Sequence, residues 1–156
     1  MSPATLDHAG IAALIPHRGP MCLLDRMTSW SANAIECVAV DHRNAKHPLR
    51  SRRGLFATAA IEYAAQATAV HGALCAQSAG GRAAPGFLAS ARDVRLTCLR
   101  LDDLPMASPD ELVVSAERQA ADSSRILYAF RVSHAGRELA SGRVAVVLDT
   151  PLRMPT

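Results

Sequence analysis

The run from Ala57 to Ala76 contains no proline, one glycine (Gly72) and one formally charged side chain, Glu62. Alanine and leucine are strong helix formers, so the run predicts a long helix. Ile61, Ala64, Ala65, Thr68, Ala69 and Gly72 recur at three- and four-residue steps as a stripe of small residues. Tyr63, Ala67, Val70 and Leu74 form a second apolar stripe. A helix that is apolar on nearly every side has to be buried, so the rest of the chain must cover it. The small side chains suggest close approach to another backbone. Glu62 and Gln66 are the exceptions, four apart and therefore on one face. A carboxylate is costly to bury without a partner, so Glu62 must face water, a partner or a substrate. It could be a solvent-edge acid that favours the first turn through the helix dipole. Its isolation in the otherwise uncharged run from Gly54 to Gln77 gives a functional acid equal weight.

The flanking segments read as strands. Ile11, Leu14 and Ile15 suggest one short helix, stopped by Pro16, after a loose arm over residues 1–8. Residues 21–30 and 34–41 read as two strands, with Ile35, Cys37 and Ala39 on one side. A basic loop, HRNAKHPLRSRRG, leads into the helix, and the Gly/Pro-rich QSAGGRAAPG leaves it. Four strands follow, over residues 86–101, 112–119, 126–133 and 138–148, joined by turns that suit antiparallel hairpins, before a polar tail. Strands segregated from a single long helix indicate an α+β fold, with a curved antiparallel sheet wrapped around the helix.

The 156 residues fit one domain. No apolar run approaches the roughly eighteen residues of a membrane span. The opening MSPATLDHAG lacks the basic-then-apolar pattern of a secretory signal, so the cytoplasm is the expected location. A net charge of +3 and a basic cluster without interleaved aromatics argue against nucleic acid. That cluster (Arg43, Lys46, Arg50, Arg52 and Arg53, beside His47) is either a solvated loop or a dock for an anionic partner. Cys22, Cys37, Cys75 and Cys98 lack metal-like spacing and read as buried free thiols. His42 and His47 have no third ligand nearby in sequence, so no metal is expected. His8 and His134 read as surface residues, His17 as a structural residue of its turn, and His71 as facing away from Glu62.

Two segments resemble a known family. IAALIPHRGPMCLLDRM, with Pro16, His17, Arg18, Pro20, Asp25 and Arg26, is similar to the opening of FabZ-type β-hydroxyacyl-ACP dehydratases. HPLRSRRGLFATAAIEYAAQATAVHG is similar to that family's His-bearing loop and the helix after it, where the family's E-A-x-A-Q pattern reads Glu62, Tyr63, Ala64, Ala65, Gln66. IEYAAQATAVHGAL and GFLASARDVRL look closest to the branch found in aryl-polyene pathways. The resemblance implies a hot-dog fold and a homodimer, in some members a trimer of dimers or a heterodimer with a related subunit. It implies a 3-hydroxyacyl-ACP dehydratase that forms a trans-2-enoyl thioester, with catalytic His47 from one protomer and Glu62 from the other. Backbone amides near Leu55, Phe56 and Ala57, with Gln66, would hold the thioester oxygen. Arg50, Arg52 and Arg53 would dock the phosphopantetheine arm, delivered by acyl carrier protein or as acyl-CoA. No other cofactor and no metal are implied. The chain departs from the family at His47-Pro48-Leu49 and at Gly54, eight residues before Glu62. An acyl thioesterase and a non-catalytic acyl-binding subunit are the alternative readings.

Overall fold

The computed structural model of the chain describes residues 4–81 and 86–148. Its elements are α1 (His8–Ala12), β1 (Arg26–Trp30), β2 (Ala34–Ala39), α2 (Ala60–Ser78), β3 (Gly86–Leu96), β4 (Leu112–Ala121), β5 (Arg125–His134) and β6 (Arg137–Leu148). The six strands form one antiparallel sheet in the order β1-β2-β4-β5-β6-β3. α2 packs against every strand from β2 to β6. This is the hot-dog arrangement, one long helix wrapped by a curved antiparallel sheet.

The apolar stripe of α2 carries the core. Tyr63, Ala67, Val70 and Leu74 are fully buried. They meet sheet residues of alternating burial such as Val114, Tyr128, Val132 and Val144. A short 3-10 turn, Ala57–Ala59, leads into the helix, and Glu62 sits in its first turn. Asp7 caps α1 by accepting from the Gly10 N–H at 2.8 Å.

The structure corrects several expectations. The first strand begins at Arg26 rather than Met21, because the 3-10 turn Gly19–Met21, with Pro20 inside it, occupies the preceding stretch. The third strand ends at Leu96. The segment beyond it pairs instead with the entry to α2, through Ala57 N–H to Leu99 O and Leu101 N–H to Leu55 O. The N-terminal arm is anchored where Leu6 exchanges backbone hydrogen bonds with Met27. Cys22 and Cys37 are buried, whereas Cys75 and Cys98 are half-buried. His134 is buried at the end of β5, not on the surface. In the small-residue stripe, a Cβ placed on Gly72 would meet nothing within 4 Å. The polar tail and residues 82–85 lie outside the described residues.

Candidate active site

The small-residue side of α2 faces a cavity of about 860 Å³. Ala65, Thr68, Ala69, Gly72 and Ala76 form its helical wall, while Phe87, Ile126, Tyr128 and Val146 close it from the sheet. Glu62 and His17 both line it, next to Leu14, Ile15 and Pro16. Small side chains on a helix that is otherwise covered leave a slot rather than a contact. The size and apolar character suit an acyl chain, and the one acid–imidazole pair in its wall suits proton transfer.

The pair is positioned by Gln66. Its amide is fully buried. It donates to Met21 O at 2.7 Å and to Glu62 Oε1 at 3.0 Å, and accepts from the Leu23 N–H at 2.9 Å. The residue one turn beyond Glu62 therefore clamps the 16–24 segment over the start of α2. That clamp delivers His17, whose Nε2 lies 3.1 Å from Glu62 Oε1. His17 Nδ1 is buried with no hydrogen-bond partner. A neutral imidazole that donates from Nε2 to a carboxylate keeps a lone pair on Nδ1.

His47 belongs to a separate network within the chain. Its side chain is fully buried, and both ring nitrogens are engaged. Nδ1 accepts from the Leu49 N–H at 3.1 Å, which fixes the tautomer with the proton on Nε2. Nε2 lies 2.9 Å from the Tyr63 hydroxyl and 3.3 Å from Asp41 Oδ2. The Tyr63 hydroxyl donates to Asp41 Oδ1 at 2.5 Å. Burial next to the Asp41 carboxylate pushes the Tyr63 phenol far above its ordinary range, so it stays protonated.

The three amides expected around a thioester oxygen separate in the structure. The Leu55 N–H donates to Asp102 Oδ1 at 3.0 Å, and the Ala57 N–H to Leu99 O at 2.9 Å. Among the described residues the Phe56 N–H has no such partner. Of the arginines expected to dock a carrier, Arg50 pairs with Asp102 at 3.1 Å, while Arg52 and Arg53 are exposed. Arg43 is committed to Asp110, with its Nε 2.6 Å from Oδ2. His71, which does face away from Glu62, lies 2.8 Å from the Tyr128 hydroxyl and 2.9 Å from Ser31 O.

The sequence places His17 in its turn, and the contact with Glu62 is added by the fold. The available signal was the Pro-His-Arg turn itself. What it lacked was the Gln66 clamp, which joins residues distant in sequence.

The dehydratase heterocomplex ApeI:P from Xenorhabdus doucetiae superposes with a TM-score of 0.78 at 22% identity, over 90% of this chain and 91% of that one. A hypothetical thioesterase with coenzyme A from Streptococcus pneumoniae gives 0.53 at 8% identity, over 79% and 84% of the two chains. A thioesterase from Haemophilus influenzae gives 0.57 at 10% identity, over 83% and 81%. At these identities the likeness is one of fold. No curated protein sequence matches the chain. The family model for ApeP dehydratase matches residues 9–153, so the chain belongs to the ApeP-like family of hot-dog dehydratases.

Proposed function

We propose that the protein removes water from a 3-hydroxyacyl thioester to give the trans-2-enoyl thioester, with Glu62 as the acid–base residue and His17 as its partner. The observation that carries this reading is their 3.1 Å contact in the wall of an apolar cavity. The Glu62 carboxylate, held in place by the His17 Nε2–H, takes the C2 proton. Glu62 then protonates the departing 3-hydroxyl, so that water leaves and no net proton is gained or lost. The unpaired Phe56 N–H at the entry to α2 is the amide best placed by its hydrogen bonding to receive the thioester oxygen as enolate charge develops. Gln66, with both amide protons used, acts by positioning the pair. His47 acts on the loop through Asp41 and Tyr63. Its two engaged nitrogens weigh against the cross-protomer role that the resemblance implies.

The substrate arrives on a phosphopantetheine arm, with Arg52 and Arg53 as exposed cationic contacts for acyl carrier protein or for the phosphates of acyl-CoA. β3 has one unpaired edge. Phe87 and Leu88 are exposed on β3 and also line the cavity. A second hot-dog subunit, identical or related, covers that edge in the proposed assembly. Mass spectrometry of a 3-hydroxyacyl-carrier panel, offered to the chain alone and with a related hot-dog subunit, tests the reading. A loss of one water from the intact thioester supports it. Release of the free acid would make the protein a thioesterase. Binding without turnover under both conditions would make it a non-catalytic acyl-binding subunit.

A further inference from the structure

At the end of the sheet where β2, β4 and β5 lie side by side, three ligand-type side chains converge. Leu112 pairs with Ala39 on one side and with His134 on the other. That register brings together His42 from the loop after β2, Asp110 from the segment before β4, and His134 at the close of β5. One ligand atom from each lies within 4.8 Å of the others. His42 is fully buried, and neither of its ring nitrogens has a hydrogen-bond partner. An unpaired polar group in the interior costs about 1–3 kcal/mol, so a buried imidazole in this condition calls for an explanation.

The distances supply one. His42 Nε2 is 3.6 Å from Asp110 Oδ2, too long for a hydrogen bond. Two donors that share one tetrahedral ion at about 2.0–2.1 Å each sit roughly 3.4 Å apart, close to that separation. His134 Nε2 lies 2.8 Å from Asp110 Oδ1. Its ring centroid is 5.8 Å from that of His42. Two imidazoles and one carboxylate form a donor set for borderline transition metals, not for calcium or magnesium. The carboxylate is already oriented from behind, because Arg43 holds it through Nε at 2.6 Å and Nη2 at 3.0 Å. Arg43 also donates to Asp102 O and Pro105 O, each at 3.3 Å, which ties the two loops together. Such outer contacts fix first ligands in metal sites.

We propose that His42, Asp110 and His134 bind a divalent transition-metal ion of the zinc class as a structural staple, distinct from the cavity that holds Glu62. On binding, His134 Nε2 gives up its proton to solvent and exchanges its hydrogen bond to Asp110 for a bond to the ion. The remaining coordination position is open to water. The ion would fasten the loop that carries Asp41 and His47 to the end of the sheet, and it takes no part in dehydration.

The test uses untagged full-length protein, stripped with chelator and titrated with Co²⁺ and then Zn²⁺. The expected result is a visible cobalt absorption of tetrahedral type that saturates at one ion per chain and is displaced by Zn²⁺. Zn²⁺ should also raise the thermal midpoint of the wild type. Both effects should vanish in His42→Asn and in His134→Asn. No cobalt band in the wild type would overturn the proposal, as would a band that survives in a folded variant. If neither variant folds, the wild-type spectrum and stoichiometry decide the matter alone. A spectrum of octahedral, purely aqueous type would count against the site.

Discussion

His17 Nε2 lies 3.1 Å from Glu62 Oε1, and the same carboxylate oxygen accepts from Gln66 Nε2 at 3.0 Å. One acid is thus shared by an imidazole from the N-terminal turn and by an amide one helical turn further on. Among the described residues Glu62 Oε2 has no hydrogen-bond partner.

Gln66 should therefore matter to stability as well as to rate. Gln66→Leu leaves the buried Leu23 N–H and the half-buried Met21 C=O unpaired. Each such group costs about 1–3 kcal/mol. A lowered midpoint in urea unfolding, with an unchanged slope, is the expected outcome, together with a reduced kcat as His17 loses its orientation.

Gly72 offers a way to alter the cavity without damage to the fold. It lines the cavity, and an added Cβ meets nothing within 4 Å. Gly72→Leu should gain up to about 1 kcal/mol of helix stability. It should also shorten the preferred acyl chain, so that activity on long 3-hydroxyacyl substrates falls while short ones are still turned over. Competition between chain lengths in one mass-spectrometric assay reads this directly.

The free edge of β3 should be the site of self- or partner-association. Phe87 is 61% exposed there. Long apolar edges are normally covered. Phe87→Asp should shift the protein toward monomer in light scattering coupled to size exclusion, with its far-ultraviolet circular dichroism unchanged.

Asp102 should contribute to acid sensitivity. Its carboxylate accepts from Arg100 Nε at 3.0 Å and Nη2 at 2.7 Å, and from the Leu55 N–H at 3.0 Å. The Arg100 guanidinium is the main cause that holds its pKa well below the usual carboxylate range. A depressed folded-state pKa stabilises the fold above the unfolded value of about 3.9, and that stabilisation is lost as pH falls below it. Wild type should lose stability as pH drops below about 4, whereas Asp102→Asn should be less stable at neutral pH and show a shallower acid dependence.

Much of this architecture was legible in the chain because its signals are local. The alanine run, its buried stripe through Tyr63 and Val70, and the alternation of Tyr128, Phe130 and Val132 each follow from neighbours along the sequence. The isolation of Glu62 was legible for the same reason. What was not legible were contacts between residues distant in sequence. His17 reads as a turn residue until Gln66 is seen to bind Met21 and Leu23. His134 reads as a turn-flanking surface residue until the register with Leu112 buries it beside Asp110. The strand expected from Met21 was displaced by the Gly19–Met21 turn, a local competition that Pro20 decides.

The most direct measurement is the rate of water loss from a 3-hydroxyacyl-carrier thioester by wild type, Glu62→Gln, His17→Asn and His47→Asn, each confirmed folded and each under the assembly conditions in which wild type turns over. General acid–base groups typically contribute about 100- to 10,000-fold. Glu62→Gln and His17→Asn should fall by at least about 100-fold with the thermal midpoint preserved, while folded His47→Asn retains most of the rate. Near-normal turnover by His17→Asn, with loss of activity in folded His47→Asn, would contradict the intrachain pair and assign the imidazole to His47 of a second subunit.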